Sequence, residues 1–179
     1  MRWAALLRGV NVGGNRKLPM ADLRGLVEAL GFERAETLLA SGNVVFDAAE
    51  KHGAGLESLL EREAKARLGL ETDFLLRDLA ELEAAISANP FSEAAGARPS
   101  QLLVLFMREP LPADLPERVA AIYDGPERLA VQNRHLYVDY VEGQGRSKLP
   151  QAMVKLKLPK AATGRNWNTV LKLAAMLDG

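Results

Sequence analysis

The 179-residue sequence contains no cysteine, which excludes disulfide bonds, zinc–thiolate centres, iron–sulfur clusters and a cysteine nucleophile. Histidine is scarce too: His52 falls in an expected loop and His135 beside an expected hairpin turn. No second histidine stands at ligand spacing, so both read as surface residues, and neither a metal nor a cofactor is expected. Long apolar runs are missing. Trp3 to Leu7 ends at Arg8 and Gly9, too short for a signal-peptide core, and no segment approaches the ~18 residues of a membrane span. With 48% apolar and 26% charged residues, the chain has an ordinary globular composition. We expect a soluble, cytoplasmic protein with no membrane partner.

Net charge is also absent, but its zero is the sum of unequal parts. Residues 1 to 21 carry Arg2, Arg8, Arg16 and Lys17 without an acid, and residues 143 to 177 carry seven bases without an acid. Residues 22 to 142 hold 22 of the 23 acids against 12 of the 23 bases. Acid-free, glycine-rich and basic segments are what an anion-binding surface requires, because a nearby carboxylate cancels the field.

Apolar spacing gives the architecture. A strand over Trp3–Leu7 precedes a helix with Pro19 in its first turn and Met20, Leu23, Leu26, Val27 and Leu30 as its stripe, stopped at Gly31. Strands follow near Glu36–Ala40 and Val44–Asp47 around Ser41-Gly42-Asn43, then a helix to Gly69 and a strand over Thr72–Leu76. This order, βαββαβ, predicts an α+β fold with a ferredoxin-like first half. Asp78 and Glu81 open a third helix as a capping box, closed by Asn89-Pro90. Residues 90–100 read as a loop. A strand over Leu102–Met107, a helix over Asp114–Tyr123, a hairpin of Arg128–Gln132 and Leu136–Val141, and helices over Ser147–Leu158 and Trp167–Leu177 follow. The second half is thus a related βαββα pattern with C-terminal helices, which points to a divergent duplication. We expect two α+β subdomains, 1–89 and 90–179, packed closely together.

Four segments could carry chemistry. Arg8-Gly9-Val10-Asn11-Val12-Gly13-Gly14-Asn15-Arg16-Lys17 is a strand-to-helix loop able to aim backbone N–H groups at a phosphate. It matches neither the P-loop nor the dinucleotide fingerprint, and its glycines could equally serve chain geometry. Ser41-Gly42-Asn43 reads first as a turn, and Ser41 lacks the nucleophile-elbow context. Thr163-Gly164-Arg165-Asn166-Trp167-Asn168-Thr169 precedes the last helix. Asn166, Asn168 or Thr169 would cap that helix, and Arg165 beside its N-terminus would call for an anion. Trp167 would fill the core or stack on a base. Finally, Gly143 to Pro150 places Arg146 and Lys148 at a helix start with Ser147 as cap. No carboxylate falls within these segments, which leaves no obvious general base and weakens a hydrolytic reading.

The stretches LLRGVNVGGNRKLPM, LGFERAETLLASGNVVF, ANPF and TGRNWNTVLKL resemble the bacterial family called domain of unknown function 1697, over nearly the whole chain. The resemblance implies an α+β fold of ferredoxin-like character and a cytoplasmic bacterial protein. It brings no established activity, so the catalytic residues stay unknown. The family pattern includes Arg8, Asn11, Gly13, Gly14, Ser41, Gly42, Asn43, Lys148, Arg165, Asn166, Trp167, Asn168 and Lys172. All are matched here, while Leu39 stands where an aromatic or β-branched residue is expected.

Together these readings lead us to expect an anionic, phosphate-bearing ligand, a nucleic acid or a nucleotide, held where the polar segments converge. Arg8, Lys17, Lys148 and Arg165 would supply charge, Gly13, Gly14 and Gly42 backbone amides, and Asn11, Asn43 and Asn166 side-chain amides, with Ser41, Trp167, Asn168 and Lys172 beside them. Two alternatives stay open: an enzyme acting on a phosphorylated or carboxylated metabolite, and a structural polar network that binds nothing. Oligomeric state is not legible in the sequence.

Overall fold

A computed structural model describes residues 1–12, 16–49, 52–159 and 161–179. The chain divides into two compact units, Met1–Glu83 with Leu173–Gly179, and Ala84–Lys172. Among the described residues no helix is long and apolar enough to cross a membrane.

In the first unit the apolar run lies in β1 (Arg2–Leu7), with Trp3 to Leu7 all buried, as a strand covered on both faces requires. Three strands join it in an antiparallel sheet: β2 (Glu33–Thr37), β3 (Asn43–Asp47) and β4 (Phe74–Arg77), in the order β2-β3-β1-β4. Helices α1 (Met20–Ala29) and α2 (Gly53–Leu68) supply Leu23, Leu26 and Val27, and Leu56, Leu60 and Ala64, to a core shared with Trp3, Ala5, Leu7, Phe46 and Phe74. This is the ferredoxin-like βαββαβ arrangement. β2 begins and ends three residues earlier than the spacing predicts. A bulge between Glu33 and Glu36 accompanies the left-handed Arg34 (φ 48°), and Leu39 (φ 60°) lies past the strand's end in a conformation no strand continues through.

Edge strand β4 is closed by carboxylates. Glu57 accepts the Leu76 N–H at 2.9 Å and Glu61 the Phe74 N–H at 3.1 Å, so α2 satisfies donors that would otherwise invite another strand. Helix α3 (Leu79–Ser87) starts with the expected capping box: Asp78 accepts the Glu81 N–H at 2.8 Å and Glu81 the Asp78 N–H at 3.1 Å.

The second unit repeats the plan. After α4 (Ser92–Ala97), a short helix within the expected loop, come β5 (Leu102–Met107), α5 (Leu115–Ala120), β6 (Arg128–Gln132), β7 (His135–Asp139), α6 (Leu149–Val154), β8 (Ala162–Asn166) and α7 (Trp167–Asp178), whose residues from Leu173 onward belong to the first unit. The sheet order is β6-β7-β5-β8, the equivalent of the first. Strand β8 is therefore the fourth strand that the spacing does not reveal, registered against β5 from Leu103↔Asn166 to Met107↔Ala162. Its inward residues are Thr163 and Arg165, so apolar alternation is missing. α6 is shorter than predicted, with left-handed Lys157 (φ 51°) following it.

Candidate functional site

In the first unit the loop after β1 and the Ser41-Gly42-Asn43 turn meet at one end of the sheet. Asn11 joins them. Its side-chain amide donates to the Leu18 carbonyl at 2.8 Å and the Ala40 carbonyl at 2.7 Å, and its Oδ1 accepts the Leu18 N–H at 2.7 Å. The Asn11 N–H donates to the Arg16 carbonyl at 3.1 Å, and both Asn11 (φ 55°) and Arg16 (φ 48°) are left-handed. Such residues persist only where their surroundings over-determine them.

The Leu7 N–H donates to the Gly42 carbonyl at 2.8 Å. Gly42 has φ 88°, and a Cβ there would lie 2.4 Å from Val10 Cγ2 and 3.0 Å from Leu7 Cβ, so both conformation and space demand glycine. Asn43 is buried and donates to the Leu38 carbonyl at 2.7 Å and to Ser41 Oγ at 3.1 Å. The side chains of Asn11 and Asn43 thus build the turn pair. Gly13 and Gly14 lie outside the described residues.

The cations of this end are exposed. Arg8, Arg16 and Lys17 border two open grooves of about 550 and 570 Å³ that share Arg16, Lys65 and Glu71. Arg62 and Lys65 of α2 add positive charge, and Asp22, Glu61, Glu71 and Asp73 oppose it. The first segment is therefore acid-free along the chain but not in space. Arg8 pairs with Asp73 at 3.2 Å, and Lys65 with Glu71 at 2.5 Å. The Lys65 ammonium holds the Glu71 carboxyl below its ordinary range, with Arg16 adding to the effect.

The TGRNWNT segment belongs to the second unit and is built differently from the sequence expectation. Arg165 does lie just before the last helix, but on strand β8 and with its side chain buried. It donates to Thr163 Oγ1 at 2.7 Å and the Gly164 carbonyl at 2.9 Å, and burial pushes its pKa down to about 10. Asn166 is the helix cap, its Oδ1 accepting the Thr169 N–H at 3.0 Å and the Thr169 hydroxyl at 3.2 Å. Trp167 is buried, while Asn168 and Lys172 are exposed on α7. Lys148 is exposed ahead of α6, next to Ser147, whose hydroxyl accepts the Leu149 N–H at 3.1 Å.

His135 is 5% exposed, its ring edge-on to Phe106 and its Nδ1 3.2 Å from Gln132 Oε1, so it is a core residue and not the surface residue expected. Sequence reasoning missed two further polar clusters in this unit. Asp139, fully buried, accepts from Arg98 and Arg128 at 2.6 Å each, with Arg128 also stacked 5.0 Å over the Phe91 ring. Glu127 accepts from the Ser147 hydroxyl and, at 2.8 Å, from Tyr123. Their carboxylates lie in the acid-rich middle of the chain, although Ser147 comes from the acid-free C-terminal stretch.

A solved structure titled as that of conserved bacterial protein SP0830 from Streptococcus pneumoniae is similar to this chain with a TM-score of 0.74 and 28% identity, covering 98% of each chain. No curated protein matches. The family model described as "Protein of unknown function (DUF1697)" matches residues 1–137, and the chain belongs to that family.

Proposed function

We propose that the end of the first unit built by the β1–α1 loop and the Ser41-Gly42-Asn43 turn binds a phosphate-bearing ligand, a nucleic acid or a nucleotide. One observation carries this reading. Left-handed Asn11 and Arg16, with three hydrogen bonds of the Asn11 side chain to Leu18 and Ala40, accompany Arg8, Arg16 and Lys17 exposed around open grooves. Fixing cations before the ligand arrives lowers the ordering cost of binding. Asp73 and Glu71 then act as counter-charges that a phosphate displaces from Arg8 and Lys65. Buried Arg165 and the capping Asn166 have structural work in the second unit and take no part.

The test is fluorescence anisotropy with a single-stranded oligonucleotide at rising salt. Each phosphate neutralised contributes about −0.7 to the slope of log affinity against log salt for a single strand. The triple variant R8A/R16A/K17A is expected to bind ~100-fold more weakly at low salt and to flatten that slope by about 2. Equal affinity of variant and wild type, or no salt dependence in the wild type, contradicts the reading.

A further inference from the structure

Two large apolar side chains on the same loop and turn stand in solvent. Val12 is 62% exposed and Leu39 is 51% exposed. They flank the same staple: the Asn11 side chain bonds the Ala40 carbonyl at 2.7 Å, and Val12 and Leu39 are the respective chain neighbours of those two residues. Leu39 is also left-handed at φ 60°, a conformation costly for leucine, and the Gly42 N–H closes the turn on its carbonyl at 3.5 Å. The fold thus spends backbone strain to hold an aliphatic side chain outward, where folding gains nothing from it.

We propose that Val12 and Leu39 form an apolar lip that packs against unstacked bases of a single-stranded nucleic acid, whose phosphates lie on Arg8, Arg16 and Lys17. This rests on the phosphate-binding reading and names its ligand class. The cations Arg8, Arg16 and Lys17 of the segment that bears Val12 complement a phosphate backbone, and base faces offer apolar surface once unstacked. A duplex hides those faces. An anionic membrane fits less well, since interfacial binding scales with buried apolar area and two aliphatic side chains offer little.

The test compares four probes: an oligothymidylate of about 12 nucleotides, within the span single-strand sites cover, an abasic oligomer of the same backbone, inorganic polyphosphate, and vesicles containing phosphatidylserine. The variant V12S/L39N makes the lip polar, and asparagine tolerates the left-handed backbone. The expected result is a loss of about tenfold for oligothymidylate, with abasic oligomer and polyphosphate unchanged. Wild-type protein should prefer oligothymidylate to the abasic oligomer. Equal binding of those two by the wild type, an unchanged oligothymidylate affinity in the variant, or lip-dependent binding to the vesicles overturns the inference. If R8A/R16A/K17A still binds polyphosphate like the wild type, the phosphate-binding reading itself fails, whatever the lip does.

Discussion

Replacing Asp139 by alanine is expected to lower stability by roughly 3 kcal/mol, since it removes hydrogen bonds to two charged partners, each worth about 1.5–3 kcal/mol. The carboxylate is fully buried and holds Arg98 and Arg128 at 2.6 Å each, while those two guanidinium groups reach solvent. The loss is therefore mainly of a buried anchor at the end of β7 and less of stranded positive charge. Asp139→Asn, which keeps the shape, should recover only a small part. The two pairs also give a pH dependence. Hydrogen bonding from Arg98, with Arg128 adding to it, holds the Asp139 carboxyl below its ordinary range. The stability it contributes is complete above the unfolded carboxylate range and is lost as pH falls through the lowered folded value. Urea denaturation at neutral and at acid pH checks both points. A D139A midpoint equal to the wild type at neutral pH contradicts the first. A D139A deficit that stays constant into strong acid contradicts the second.

Asn11→Ala should also cost roughly 3 kcal/mol. Two donors and one acceptor disappear, the Leu18 N–H, on a residue only 4% exposed, loses its partner, and alanine must adopt a φ of 55°. Each stranded buried group costs about 1–3 kcal/mol, and the left-handed conformation adds about 1 kcal/mol. Glycine at position 11 removes the second cost and not the first, so the expected order of melting temperatures is wild type, then N11G, then N11A. Because these bonds tie Asn11 to Leu18 and Ala40 beside the chain positions of Arg16 and Lys17, N11G should also weaken oligonucleotide binding. Wild-type affinity in a folded N11G protein would mean that the loop's conformation plays no part in binding.

The first half of the fold is legible because its signals are local. The apolar run of β1, the stripe of α1 and the Asp78–Glu81 capping box each declare themselves within a few residues. β8 does not, because its inward residues are Thr163 and Arg165 and its neighbour is supplied by β5 some sixty positions earlier. The displaced end of β2 depends on the left-handed Leu39, and nothing about leucine announces that conformation. At the candidate site, asparagines look alike in sequence whether they face a ligand or the backbone. Asn11, Asn43 and Asn166 all hydrogen-bond their own unit. The acid-free character of the first segment holds along the chain and not in space, since the β1–β4 pairing brings Asp73 to Arg8, and Glu71, just after α2, pairs with Lys65 of that helix. The exposed Arg8, Arg16 and Lys17 are what survives of the charge argument.

The most direct measurement is the amide spectrum of the isotopically labelled protein titrated with oligothymidylate. The account predicts shifts concentrated at residues 8–12, 16–18 and 38–43, with the β8–α7 junction around Arg165 and Asn166 unmoved. Shifts gathered around Arg165 and Asn166, or a spectrum that does not respond at low salt, would contradict it.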